Sequence, residues 1–364
     1  QIRLESHGFG GQESAYSVDD SIFDTGEFVF SPFNQNSYVA FKNAERSAAQ
    51  VKLLGAHTQA FVGKLENEKG EYQGEISLIK VDGEDGVAYS GFFELLNGER
   101  FTISQNEDGD AVLQELEPEN FPGCNAEGPH SEHNHGAHTE TILAADTHEA
   151  DEDGDSESEG DAPADAGDTT IDVMVVYTSA ARISTGGTSA MQALIANAIS
   201  VSNTAYSNSN VNIEINLVHT AEVSYTESGS YSTDLSRLSG TTDGYMDDVH
   251  ALRNTHGADM VALISNSTQY CGIGYLMYNP SPAYATAMFS VTYHGCAVGN
   301  YSFAHELGHN MGAHHDHTNS DPKGAYTYSH GHHFGSWRSI MAYAPGTRVG
   351  RFSNPDVVYG GHAT

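Results

Sequence analysis

The sequence predicts an α/β fold: a mixed, twisted sheet with a functional helix in its second half, preceded by a β-rich first half. Three observations carry this. Short alternating runs recur up to about residue 117, strand and helix patterns alternate after residue 168, and a strongly acidic stretch separates the two. At 364 residues the chain is long enough for two or three domains and a sizeable core.

In the first half the runs SYVAF, AQVKLLG, TQAFVGKLE, EYQGEISLIKV, GVAYSGFFELL, RFTISQ and AVLQELE read as strands, and Asn97-Gly98 between two of them is a hairpin signal. The segment 144–168 (AADTHEADEDGDSESEGDAPADAGD) has almost no large apolar residue and a block of like charge, so it reads as a flexible, protease-accessible linker. A calcium loop is the alternative there, from Asp151, Asp153 and Asp155. Ser156 stands where that loop needs Gly, and Ala162 where it needs Glu. Beyond the linker, IDVMVVY (171–177) reads as a buried strand, 188–207 as an Ala-rich helix and 211–219 as a strand. A helix over 245–253 follows, then a buried strand over 260–264, an edge strand over 287–293 and a helix from about Tyr301. The predicted division is therefore 1–143, 144–168 and 169–364.

Charge limits the partners. Lys plus Arg is 15, Asp plus Glu is 49, and the net charge is −34. Residues 1–168 hold 8 basic and 36 acidic side chains, residues 169–364 hold 7 and 13. Such a chain is a poor match for nucleic acid or an anionic membrane, and no apolar run approaches the roughly 18 residues of a membrane span. The chain opens at Gln1 without a charged-then-apolar leader. A removed secretory signal is the expectation, with a trimmed sequence the alternative, so the predicted location is secreted, extracellular.

The chemistry concentrates in HELGHNMGAHHD (305–316). On a helix His305 and His309 are one turn apart on one face, and both imidazoles can reach a single Zn²⁺. Glu306 points to a neighbouring face, where it can act as general base on a water held by the metal. Three fixed positions arise by chance in roughly a few per cent of chains this long, so the continuation decides. Gly312 can end the helix and turn the chain, and His315 three residues later can return to the same metal. Three neutral imidazoles leave a coordination position open, as a catalytic zinc requires.

The full pattern HExxHxxGxxH resembles the metzincin signature. Asp316 directly after the third His is similar to the adamalysin/reprolysin-like branch, and YSFAHELGHNMGAHHD looks like bacterial secreted members of it, including the peptidyl-Asp metallopeptidase type. The resemblance covers roughly residues 169–364. It implies a zincin-like catalytic domain, a zinc cofactor held by His305, His309 and His315, Glu306 as general base, and protein or peptide substrates. Met341 in SIMAY, 26 residues after His315, fits the Met-turn, with a packing role. FSNPDVVYGG resembles the segment that follows it, where the specificity wall is built. Tyr343, two residues after Met341, fits either an oxyanion-stabilising phenol, as in astacins and serralysins, or plain packing, as the closer branch suggests.

In an oxidising compartment Cys271 and Cys296, both ahead of the zinc helix, are the natural disulfide pair, stabilising by roughly 3 kcal/mol. Cys124, in FPGCN at the end of the β-rich half, is left over. A thiolate on the open zinc position would hold the enzyme latent, as propeptide cysteines do in several metzincin families. The segment does not match the PRCGxPD pattern of matrix metalloproteinases, and is similar in outline to the FxGD segment of astacin propeptides with Cys in the Asp place. The alternative is a free or buried thiol. His130, His133, His135 and His138 read as a solvated tail rather than a second metal site, and His314, His317, His330, His332 and His333 as surface histidines. The sequence thus predicts a secreted zinc endopeptidase zymogen, with residues 1–143 as its own intramolecular inhibitor. The alternatives are a catalytically silent zincin-fold binding protein and a non-peptidase zinc amidase.

Overall fold

A computed structural model describes residues 10–15, 18–32, 36–48, 57–106, 111–117, 120–127, 169–320 and 324–364. The acidic segment 144–168, the histidines between 130 and 138 and the AQVKLLG run fall wholly or mostly outside the described residues. The architecture is mixed α/β. Among the described residues no helix is long and apolar enough to cross a membrane.

In the first half, β1 (Gly10–Ala15), β2 (Glu27–Phe30), β3 (Tyr38–Lys42), β4 (Thr58–Glu66), β5 (Tyr72–Gly83), β6 (Gly86–Leu95), β7 (Arg100–Gln105) and β8 (Ala111–Leu116) form one antiparallel sheet in the order β1-β8-β7-β6-β5-β4-β3-β2. Alternation gives it two apolar faces. One buries Phe30, Phe61, Leu78, Phe93, Phe101 and Ile103 within its own half. The other presents Ala60, Ile79, Val81 and Ala88 to Ala190, Ala193 and Ala196 of a helix in the second half. The Asn97-Gly98 turn joins β6 to β7, with Gly98 at φ +94° and its N–H on the Leu95 carbonyl.

The second half contributes β10 (Thr169–Thr178), α1 (Ser179–Ser184), α2 (Thr188–Asn208), β11 (Ile213–Val223), α3 (Tyr231–Ser239), α4 (Asp248–His256), β12 (Met260–Ser265), β13 (Gly272–Tyr275), β14 (Phe289–Tyr293), α5 (His294–Ala297) and α6 (Ser302–Asn310). Its sheet runs β11-β10-β12-β14-β13-β9, where β9 (Cys124–Glu127) comes from the first half. Strands β10, β11, β12 and β14 are parallel, β13 is antiparallel to β14, and β9 lies parallel to β13. The continuous apolar runs of β10 and β12 are explained by burial on both faces. Val173, Val175, Ala262 and Ile264 meet α2 and α6, while Met174, Val176, Val261 and Leu263 meet α3 and α4. Each such side chain contributes about 1.5–3 kcal/mol by leaving water.

Three expectations need correction. The strand over 287–293 is not an edge: β14 has β12 on one side and β13 on the other. Its alternation arises because Ser290 and Thr292 are buried polar residues rather than solvent-facing ones. The helix expected over 245–253 starts later, at Asp248, because the Asp247 carboxylate ties back to the N–H groups of Asp243 and Gly244. It ends on Gly257 at φ +66°. Finally, α3 was not anticipated, although Ser230 caps it and Tyr231, Asp234, Leu235 and Leu238 make its buried stripe.

Candidate active site

Helix α6 is buried along its whole length and lies against β13 and β14. Its C-terminal turn depends on Gly312, at φ +92°, where a Cβ would stand 2.4 Å from Ala325 Cβ. The chain therefore reverses and returns His315 to the helix. The His305 ring centroid is 4.6 Å from that of His309 and 5.3 Å from that of His315, and the last two are 4.7 Å apart. Their ligand nitrogens lie within 4.8 Å of one another.

The tautomers follow from the partners. His305 Nδ1 faces the Ile340 carbonyl at 2.8 Å and His309 Nδ1 the Ala313 carbonyl at 2.8 Å. A carbonyl only accepts, so each Nδ1 carries the proton and each Nε2 offers a lone pair. The Nε2 atoms of His305, His309 and His315 are buried without a hydrogen-bond partner. Leaving three buried acceptors unmet would cost about 1–3 kcal/mol each; converging on one point, they fit a metal ion. Burial pushes all three imidazoles toward the neutral form, His309 down to about 3 and His315 to about 2, with His305 also well below its ordinary value. Neutral imidazoles in a tetrahedral set with one position free suit zinc.

Glu306 is fully buried, with neither carboxylate oxygen hydrogen-bonded. Burial raises its pKa well above the usual carboxylate range. It nestles against β13, where a Cβ on Gly272 would come within 2.4 Å of its Oε1 and one on Gly274 within 2.9 Å of its backbone oxygen. Sequence reasoning missed these two glycines; their i, i+2 spacing in CGIGY was the available signal. The Met341 sulfur lies under the helix, 2.7 Å from where a Gly308 Cβ would be.

Cys124 begins β9, opposite Gly272. Its sulfur groups with the ligand atoms of His305 and Glu306 within 4.8 Å and with the Ser302 hydroxyl at 3.6 Å. Burial, then the Glu306 charge, push its thiol up to about 12, while the nearby Arg348 guanidinium works the other way. A divalent cation at the three histidines would favour the thiolate strongly. The Tyr343 phenol donates to the Cys124 carbonyl, and its ring lies tilted by 35° against His315, the centroids 3.9 Å apart. Cys271 and Cys296 are disulfide-bonded, Cα–Cα 5.4 Å, and pack beside Cys124.

His314 and His330 are not surface residues. Both are buried, bridged strand to strand, with His314 Nδ1 accepting the His315 N–H at 2.8 Å and His330 Nδ1 on the His315 carbonyl at 2.9 Å. They orient the loop that carries His315. Arg348 was not singled out by the sequence. It is fully buried beside Cys124, with Nη1 on the Asn300 carbonyl at 2.9 Å.

A mixed sheet carrying three convergent histidines and an adjacent carboxylate on one helix and its return turn places the second half among metallopeptidase folds. The chain belongs to metallopeptidase family M12, whose reprolysin-type model (Reprolysin_5) matches residues 167–353, and that family implies zinc. The chain is similar to the peptidyl-Asp metalloendopeptidase of Stenotrophomonas maltophilia (strain R551-3), 43% identical over 200 residues, or 53% of this chain and 46% of that protein. It is likewise similar to the protein of that name in Xanthomonas campestris pv. campestris, 42% identical over 196 residues, with 53% and 46% covered. The protein of that name in Pseudomonas fragi is 35% identical over 164 residues, 43% of this chain and 85% of its own length. The chain spans about half the length of the first two.

Proposed function

We propose that the chain is a latent, secreted zinc endopeptidase whose first half, residues 1–143, inhibits its second, residues 169–364. The observation that supports this most is the convergence of three unpartnered Nε2 atoms, the Glu306 carboxylate and the Cys124 sulfur on one buried space. His305, His309 and His315 would hold zinc, which when bound supplies Lewis-acid polarisation of the scissile carbonyl and acidification of water. Glu306 takes a proton from the attacking water and later delivers it to the leaving amine; its unpartnered carboxylate oxygens are free for both transfers. Tyr343 donates to the Cys124 carbonyl, and on this reading would donate to a substrate oxygen when β9 leaves. Met341 packs beneath and Gly312 sets the turn.

Latency has two parts on this reading. Cys124 takes the zinc position that water needs, and β9 fills the edge of β13 where an extended substrate would add as a strand. Cleavage within 144–168 frees both. The Cys271–Cys296 disulfide is in keeping with an oxidising, extracellular location. The names of the relatives point to bonds next to Asp, which makes Asp161, Asp165 and Asp168 of the acidic segment candidate self-cleavage positions.

The test is casein hydrolysis by the full chain before and after limited cleavage within 144–168, alongside Glu306→Ala. Activity that appears on cleavage and is absent in the variant supports the reading. A folded, zinc-loaded, cleaved chain with no activity on casein or peptides would move it to a silent binding protein, and hydrolysis of simple amides alone to an amidase.

A further inference from the structure

We propose that Ser302 is a second holder of the attacking water: its hydroxyl oxygen accepts one hydrogen of that water while Glu306 takes the other, and in the latent chain the Cys124 sulfur occupies that hydroxyl. This deepens the endopeptidase reading above and rests on it.

Ser302 opens α6 and is wholly buried. Glu306 stands four residues on, about one turn along the same helix face, so the hydroxyl and the carboxylate look into one space. The Cys124 sulfur shows that the space is shared. It is hydrogen-bonded to Ser302 Oγ at 3.6 Å, and it groups with the ligand atoms of His305 and Glu306 within 4.8 Å. On the endopeptidase reading the atom that stands beside Glu306 and His305 during hydrolysis is the oxygen of water. Oxygen is smaller than sulfur, and a water there closes on Ser302 to the usual O–H···O distance of about 2.8 Å.

The hydroxyl is held for this. Asn300 Nδ2 donates to Ser302 Oγ at 3.1 Å. Asn300 is itself buried, and its backbone carbonyl accepts Arg348 Nη1 at 2.9 Å. An amide N–H only donates, so it occupies one lone pair of Oγ and leaves the other for a second donor. Asn300 and Cys124 are the side-chain partners of this hydroxyl among the described residues, and neither is part of α6. The hydroxyl is therefore not spent on its own helix. It serves a thiol as acceptor and a thiolate as donor, so it suits the sulfur in either state. When β9 leaves, a buried acceptor is uncovered beside a carboxylate whose two oxygens are unpartnered. A water bridging the two is held at two points, and its attacking lone pair has a fixed direction. Ser302 neither gives nor keeps a proton; the proton passes to Glu306 and then to the leaving amine.

The test uses the full chain activated by cleavage within 144–168 and a fluorogenic peptide. Ser302→Ala should lower kcat about 10-fold, the worth of one well-placed hydrogen bond. KM should stay within about twofold, and zinc content and melting temperature should match the wild type. Ser302→Thr, which keeps the hydroxyl, should hold kcat within about 3-fold of wild type when it carries zinc and melts normally. Asn300→Ala should lower kcat about 3-fold or more while Ser302 is present and add less than about twofold in the Ser302→Ala background, because it acts through that hydroxyl. That cycle decides the matter should the Thr variant fail to fold. A normal kcat in Ser302→Ala overturns the proposal. So does a loss that follows zinc content or melting temperature, a Thr variant that is folded and as slow as Ala, or losses at 300 and 302 that simply multiply. A cut wild type that cleaves neither the peptide nor casein is a different result: it removes the endopeptidase reading itself, and this inference with it.

Discussion

The Asp85 carboxylate, in the turn between β5 and β6, accepts the backbone N–H of Ser189 at 2.8 Å and that of Thr188 at 2.5 Å. It thereby caps α2, whose own N-cap residue, Gly187, has no side chain to do so. The longest helix of the second half is thus finished by the first half. Ser77 to Ser200 at 2.9 Å and Asn197 to Ser90 at 3.1 Å extend the same seam.

Asp85→Ala should destabilise the full chain by about 1 kcal/mol, the usual worth of a helix cap. Slight burial raises the Asp85 pKa, but the hydrogen bonds from Ser189 and Thr188 outweigh it and hold the pKa below its ordinary 3.8. A folded pKa lower than the unfolded one means the cap contributes fully above about pH 4 and fades as pH falls through the folded value. Urea denaturation at pH 7 and pH 3 should show a gap between wild type and variant that narrows at pH 3. An equal gap at both would reject the carboxylate as its source.

Cys124→Ala should convert the uncut chain into an active peptidase, because the sulfur is the only side-chain ligand that β9 brings to the histidines among the described residues. Residual inhibition from the paired strand is expected, so activity should rise further on cleavage within 144–168. Hydrolysis of a fluorogenic peptide by the uncut variant is the measurement, and latency equal to that of the wild type sinks the idea.

Gly272→Ala should cost activity without costing metal. The added methyl would stand 2.4 Å from Glu306 Oε1 and 2.6 Å from its Cγ, so the carboxylate must move, while the His305 and His309 imidazoles are held by the Ile340 and Ala313 carbonyls. A drop in kcat of about 100-fold, the lower range for losing general base catalysis, is expected at unchanged zinc content. Normal kcat would show that Glu306 has room to spare.

Tyr343→Phe tests the phenol. Its hydroxyl bonds the Cys124 carbonyl, and its ring rests against His315. Loss of a single oxyanion donor costs about 100-fold or more in kcat, with little change in KM, whereas loss of packing alone would lower the melting temperature and leave kcat near wild type.

Much of the site was legible because its pattern is local. His305, Glu306 and His309 share one helix, and Gly312 and His315 follow within six residues, so spacing alone brings them together. The parts that were not legible depend on distant chain. Gly272 matters only because β13 passes Glu306, and Arg348 only because Asn300, Ala342 and Cys124 surround it. Strand β14 looked half-exposed because Ser290 and Thr292 alternate with Phe289 and Val291, and nothing local told that both faces are covered. His314 and His330 looked like surface residues because histidine is polar; their burial follows from backbone groups that accept and supply their hydrogen bonds.

Strand β9 is joined to its sheet by hydrogen bonds and to its own half by the chain, so on the proposed zymogen reading inhibition would be a matter of connectivity. While the polypeptide is whole, the blocking strand is presented to the cleft at an effective concentration on the order of millimolar, whatever the dilution of the protein. After a cut in 144–168 the same contacts would become those of two separate molecules, and the fraction that stays associated would depend on their concentration relative to Kd. A secretion-packed compartment would keep the severed pair together, and release into a large volume would part them. On that reading the cut would arm the enzyme, and dilution would fire it.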